Sequence, residues 1–358
     1  VRNPLVGWLS RNVLVLRSDG SICDIVPLTR AEISIYGIRL RRPQLVVRNH
    51  EWDYNDLLVG EDLEEKVDVV VKHLAQTQRD WELVNLIDFR DTNNSAECIQ
   101  SMASKAGLFC ALLPAEERCP YMRIDSGWDE MLSHRSSATR HSFRNRESKL
   151  RRFVGEGLRL RILDAPHTEL DLLERMVVLG AQKRSNGLLS VPFLGQHTEV
   201  FESVFKRLGP KGCLCIALLE SKDRLLSWHL LFRCGSKLWG YLTAYDHEFG
   251  KLSPGSMLIP AIIDYGFAHG FTEYDFLSGE ESYKLQWANG FHQRKRILIW
   301  NGRWKSRLYA EIYRRMRTPR IASRKNGEPE GSGPSAWAAT PATLTGAMET
   351  TSGGIDSK

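Results

Sequence analysis

The fold turns on residues 237–279, "KLWGYLTAYDHEFGKLSPGSMLIPAIIDYGFAHGFTEYDFLSG". The stretch opens with a strand-like run, Lys237 to Asp246, and passes through a Gly- and Pro-bearing loop. It continues as an apolar helix ending at Gly270, a residue type suited to a helix C-terminus. It closes on a second strand, "TEYDFLSG", whose end carries Asp275. Upstream lie two further extended runs, "CLCIALLES" (213–221) and "RLLSWHLLFR" (224–233), joined by tight turns. In the second, alternation places Leu226, Trp228, Leu230 and Phe232 on one face. Three consecutive runs with short turns predict an antiparallel meander, so the order is strand, strand, strand, helix, strand.

The first third repeats that order. "NVLVLRSDGSICDIVPLTR" (12–30) predicts a hairpin turning at Asp19–Gly20, and "IRLRRPQLVVRN" (38–49) adds an extended segment. The loop "HEWDYNDLLVG", the helix "EDLEEKVDVVVKHLAQTQ" (61–78) and the strand "WELVNLIDFRD" (81–91) follow. Both strand ends carry Asp-Phe, at Asp88–Phe89 and Asp275–Phe276. Both loops before the helices set an aromatic beside an acid. This is a weak internal repeat with a period of about 190 residues.

Between the halves, "WDEMLSHRSSATRHSFRNRESKLRRFVGEG" (128–157) predicts a short helix and then a strongly basic one. Arg140, Arg144, Arg146, Lys149, Arg151 and Arg152 gather there. Such a run is either a solvated face or a contact for an anion: a phosphate, a pantetheine arm or RNA. "RWKSRLYAEIYRRMRTPR" (303–320) reads as a basic helix ended by Pro319. The Gly-, Ser-, Thr-, Ala- and Pro-rich remainder has too little apolar surface to offset ordering entropy and is expected to be disordered.

The 358 residues carry a net charge of +6 and are 42% hydrophobic, a globular composition with a mild preference for anionic ligands. Seven cysteines are scattered without a CxxC pair. They point to reduced thiols, a cytoplasmic setting and no metal site. No apolar run approaches the eighteen or so residues of a membrane span, and no signal peptide is visible. No Ser-His-Asp order, P-loop or dinucleotide fingerprint occurs either.

The meander, the loop "KLSPGSML" and the ending "DFLSGEESYK" resemble the GNAT acyltransferase superfamily. Within it they resemble the CelD-like branch tied to cellulose and exopolysaccharide synthesis, which is similar to the Fem peptidoglycan aminoacyltransferases with tandem GNAT folds. The resemblance covers about residues 110–300 well and extends weakly back to about residue 13. It implies an α/β fold of tandem GNAT-like units, with mixed, mostly antiparallel sheets flanked by helices. The expected organisation is an N-terminal GNAT-like half (1–118), incomplete at its start, a C-terminal GNAT acyltransferase domain (119–318) and a disordered tail (319–358). Where GNAT enzymes commonly carry R/Q-x-x-G-x-G/A, this chain reads "GKLSPGSML", with only Gly250 and Gly255.

The resemblance implies an acyl-CoA-dependent transferase acting on an amino or hydroxyl group, with acetyl-CoA or another acyl-CoA as co-substrate. The acceptor would be a small molecule or a polysaccharide or envelope precursor, the latter within an envelope-synthesis complex. A Fem-like transferase using aminoacyl-tRNA is the alternative, which the basic helix would serve. A non-catalytic scaffold in a polysaccharide-synthesis complex is the third reading.

The residues give this chemistry a place. Lys251, Ser253, Gly255 and Ser256 precede a helix whose first N–H groups lack intrahelical partners, a natural seat for a phosphate. The same pattern fits a plain helix with Ser253 as N-cap. Asp275 ends a strand, where ligands of open sheets tend to bind. Glu281 and Lys284 are three apart, neighbours on a helical turn, with Tyr283 between them. Acyl transfer needs a base for the acceptor, donors for the oxyanion and a proton for the departing thiolate. A carboxylate serves as base, Tyr283 as proton donor, and Lys284 as partner of a phosphate or of the acids. The competing reading is an ion pair and a ring that pin the helix to the sheet. Asp246 either orients the acceptor or caps its loop. His229 is either a hydrogen-bonded core residue or, facing the cleft, a rival base. Gln182, Lys183 and Arg184 end an amphipathic helix, "ELDLLERMVVLGAQKR", which in the family's layout borders the acceptor.

Overall fold

The computed structural model describes residues 10–18, 21–35, 38–45, 53–55, 62–90, 94–115, 117–155, 157–164, 170–182, 198–222 and 224–312. The expected turn residues Asp19 and Gly20, the pair Lys183 and Arg184, and the tail 319–358 lie outside them.

The described residues open with an antiparallel meander, β1 (Ser10–Ser18), β2 (Ser21–Ile35) and β3 (Ile38–Leu45). Ser18 faces Ser21, as a two-residue hairpin requires. Helix α1 (Leu63–Gln76) turns Val67, Val70, Val71 and Leu74 inward, one stripe at helical spacing. Then come β4 (Leu83–Arg90), α2 (Ser95–Lys105) and β5 (Phe109–Pro114). β3 is held beside β4 by Glu82, whose N–H donates to the Arg41 carbonyl at 3.0 Å and whose side chain accepts from the Arg41 N–H at 2.7 Å.

The second half begins with β6 (Cys119–Arg123), α3 (Trp128–Ser133) and the basic helix α4 (Ser137–Val154). The Ser136 side chain caps α4 by accepting from Thr139 N–H, and Phe143 and Leu150 bury its narrow apolar seam. Next are β7 (Leu158–Asp164), α5 (Leu170–Gly180), α6 (Thr198–Leu208), β8 (Leu214–Ser221), β9 (Arg224–Cys234) and β10 (Lys237–Tyr245). Two 3₁₀ turns, His247–Leu252 and Pro254–Leu258, lead into α7 (Ile259–Ala268). β11 (Glu273–Asp275), α8 (Ser282–Trp287), β12 (Gly290–His292) and β13 (Arg294–Trp300) follow, and residues 304–312 are helical.

The sheets exchange strands. β6 follows directly on the first half, yet it pairs with β11 and β12 in a seven-stranded sheet ordered β12-β6-β11-β10-β9-β8-β7. β13, near the end of the described chain, lies between β4 and β5 in a three-stranded sheet. β8 is buried on both faces: Cys215, Ala217 and Leu219 join the core under α3, α4 and α7, while Leu214, Ile216 and Leu218 join the core under α5 and α6. The expected face of β9 needs one correction. A register shift between Leu219 and Glu220 of β8 opposes Leu225 to Glu220 and Ser227 to Leu219. The extra residue turns Leu226 to the α7 side, opposite Trp228 and Leu230.

Candidate functional site

β10 and β11 run parallel for three pairs, ending at Trp239↔Asp275, and β10 then continues to Tyr245 while β11 stops. A gap therefore opens between their ends. A bulge between Gly240 and Leu242 marks the point of parting. Gly240 is required there, because a Cβ would lie 2.6 Å from the Tyr274 hydroxyl. The Tyr274 ring fills the base of the gap on the α7 side.

The loop that follows β10 is held from within. Asp246, 2% exposed, accepts from Glu248 N–H at 3.1 Å and from Arg224 Nε at 2.7 Å. Its carboxylate caps the first 3₁₀ turn. Ser253 stands at φ 52°, ψ 55° and does not cap with its side chain, so the plain N-cap alternative does not hold; its Oγ accepts from Arg146 of α4 at 3.4 Å. The loop enters α7 through a 3₁₀ turn rather than as one helix from Ser256. Ser256 is buried and Lys251 exposed. The Gly255 backbone packs over Ser227, His229 and Tyr245, with 3.7 to 3.9 Å left for a Cβ. His229 is buried beneath it, with Nδ1 3.3 Å from the Tyr274 hydroxyl. Burial pushes its pKa down to about 4 against a hydrogen bond to the Gly255 backbone, so the ring is neutral near pH 7. Gln182 reaches the same loop, its Oε1 3.4 Å from His247 N.

At the strand end the expected residues divide into two groups. Asp275 is fully buried; it accepts from Leu277 N–H and from the Tyr54 hydroxyl, both at 2.8 Å. Burial raises its pKa against those bonds. Arg90 and His292 stand 3.7 and 3.8 Å from its Oδ2. Its neighbour Glu273 accepts from Lys237 and His292, each at 2.8 Å. Burial alone would raise the Glu273 pKa, but those two partners outweigh it and hold it at about 2. The ligand atoms of Glu273, Asp275 and His292 lie within 4.8 Å of one another, as a metal site would require. Arg90 and Lys237 address the same oxygens, so their charge is already balanced within the chain, and the cluster is an ion network.

The second group gathers around Ser278. Lys284 is buried; its Nζ donates to the Ser278 carbonyl and lies 3.1 Å from Glu281, which is exposed. Tyr283 packs at right angles to Phe276, ring centroids 6.5 Å apart. Arg294, at the start of β13, donates to the Asp53 carbonyl at 2.8 Å and to Ser278 Oγ at 2.7 Å, and pairs with Asp88 at 3.1 Å. Burial raises the pKa of Asp53, although Lys284 and Arg294 stand beside it. Glu281 and Lys284 are thus together as expected, while Asp275 turns to Tyr54, Arg90 and Glu273. The sequence reading missed Tyr54, Arg90, Glu273, His292 and Arg294. Its one hint was the aromatic beside an acid, Tyr54 after Asp53.

Residues 137–285 match the acetyltransferase (GNAT) domain family. FemX has the same fold at a TM-score of 0.53 with 12% identity, over 85% of this chain and 90% of that one. A C-terminal domain from Agrobacterium fabrum, assigned to a lysylphosphatidylglycerol synthetase, gives 0.51 with 10% identity over 85% and 88%. A conserved Bacteroides thetaiotaomicron protein of unknown function gives 0.50 with 9% identity over 78% and 84%. At these identities the likeness is one of fold. The mixed α/β architecture is therefore GNAT-type. No curated protein matches the chain in sequence. No helix among the described residues is long and apolar enough to cross a membrane.

Proposed function

We propose that this chain, with its GNAT-type domain at residues 137–285, is an acyltransferase that moves an acyl group from a CoA thioester to an amine or hydroxyl. The observation that carries this reading is the parting of β10 and β11 after Trp239↔Asp275, with the loop Ser253–Leu258 packed over β9 and β10 beside it. An extended donor arm fits between strands that have parted, where their free backbone groups offer hydrogen bonds. The loop and the first turn of α7, with Lys251 and Arg146 nearby, suit its pyrophosphate. Ser253, Gly255 and Ser256 hold the loop's shape.

For the chemistry, Glu281 is the exposed carboxylate of the strand-end group and suits the role of base, with Tyr283 beside it as proton donor. Asp275, Lys284 and Asp246 support from behind: each is buried and tied to named partners. An acceptor from polysaccharide or envelope synthesis, as in the CelD-like branch, rests on resemblance alone.

One observation favours a second reading, an aminoacyl-tRNA donor. Arg144, Lys149, Arg151 and Arg152 are exposed on α4, the helix whose Arg146 donates to Ser253. A polyanion lying along α4 would lead its acylated end to the same loop. FemX and the domain assigned to lysylphosphatidylglycerol synthesis share this fold.

Calorimetric titration with acetyl-CoA and longer acyl-CoAs tests the first reading, and titration with aminoacylated tRNA the second. Saturable CoA binding lost in Gly255→Glu, with the fold intact by circular dichroism, is the expected result. Absence of CoA binding with salt-dependent tRNA binding replaces it with the second reading. Binding of neither sinks both and leaves a scaffold.

A further inference from the structure

His229 stands between two parts of the gap. Its Nδ1 faces the Tyr274 hydroxyl at 3.3 Å, and Tyr274 is the β11 residue that packs against Gly240 where the strands part. Its Nε2 lies on the other side, 3.9 Å from the position of a Gly255 Cβ, so the ring packs against the loop backbone. One buried side chain thus links β9, β11 and the 3₁₀ turn Pro254–Leu258. A buried imidazole held between the Tyr274 hydroxyl and the Gly255 backbone has little room to turn, so it transmits position rather than charge.

We propose that His229 is a positioning residue that fixes the loop Ser253–Leu258 beside the β10–β11 gap and so sets affinity for the pyrophosphate of the donor. The ligand half of this inference rests on the CoA reading above. A residue that merely filled the core would affect every ligand, or overall stability, without favouring the pyrophosphate.

Three substitutions separate these cases. His229→Gln places an amide near the Nε2 position and keeps a polar group packed against Gly255. His229→Asn offers one near Nδ1 only, and His229→Phe offers none. Two readouts apply to each: hydrogen exchange of a peptide covering residues 250–258, and the Kd for CoA against that for acetyl-pantetheine, which lacks the pyrophosphate.

The expected result is about tenfold faster exchange in Asn and Phe, near wild-type exchange in Gln, and exchange elsewhere unchanged. CoA affinity should fall about tenfold in Asn and Phe, with acetyl-pantetheine affinity unmoved. Equal loss for both ligands, or unchanged exchange in His229→Phe, overturns the proposal. If the wild type binds neither ligand, the CoA reading fails and takes the ligand half with it. Exchange then decides the structural half: faster in Asn and Phe alone sustains it, and equal in all four proteins overturns it.

Discussion

The Tyr54 hydroxyl donates to the Asp275 carboxylate at 2.8 Å, joining residues 221 positions apart. Tyr54 also packs edge-on against Trp239, ring centroids 5.3 Å apart, under the Arg90 guanidinium. The first half thereby covers the end of β11 in the second. Tyr54→Phe keeps the ring and removes the donor, leaving a buried carboxylate with one partner fewer. Such a loss costs about 1–3 kcal/mol, and urea unfolding should show it as a lower midpoint with an unchanged slope. An unchanged midpoint would mean that the bond contributes nothing.

Glu273 gives an acid-side signature. Its pKa is about 2 in the fold against 4.5 as the ordinary value, so between those pH values the folded state binds fewer protons than the unfolded one. Stability from this group is present above pH 4.5 and is lost as pH falls toward 2. Asp275, whose pKa is raised, has the opposite sign: its contribution favours the fold at low pH and fades as pH rises. The difference between wild type and Glu273→Gln isolates the first effect. Unfolding midpoints measured from pH 2 to 5 should diverge as pH rises, with the wild type gaining.

Gly240→Ala forces the Tyr274 hydroxyl, 2.6 Å from the new methyl, to move. Overpacking of this kind costs about 1–3 kcal/mol. Tyr274→Phe removes the nearest atom, so the double variant should lose less than the two single losses combined. Thermal unfolding of the four proteins checks this; strict additivity would place the ring elsewhere.

Lys284 and Glu281 separate structure from chemistry. Lys284→Met removes the buried ammonium that holds the Ser278 carbonyl, and should cost about 2 kcal/mol of stability. Glu281→Gln, at an exposed side chain, should change stability by no more than about 0.5 kcal/mol. If Glu281 is the base, the same substitution removes turnover from a protein that still binds CoA. Loss of stability with turnover intact would reverse the assignment.

The local order of elements was legible because it is written in short-range patterns. Alternation from Lys237 to Tyr245, the apolar run Met257–Ala268 and Gly270 each specify their own neighbourhood. The bulge that turns Leu226 over leaves no such mark, since it depends on which β8 residue faces it. The Asp275 neighbourhood was half legible. The spacing of Glu281 and Lys284 brings them together, but Arg90, Tyr54 and His292 reach Asp275 only through pairings between distant strands. Nothing local to Arg294 announces that it opens a strand of the other sheet.

The exchanged strands also constrain how the chain is made. β4 and β5 leave the ribosome with no strand between them, and the one that fills the space, Arg294–Trp300, is synthesised some 180 residues later. Until then both carry an open edge, which invites pairing with another chain. No cut between β5 and β13 leaves the sheet β4-β13-β5 whole. A break near residue 118 leaves the first sheet without its centre and the second with the whole burden of β13. Each fragment made alone should be sticky and unstable, and the two made together should find each other.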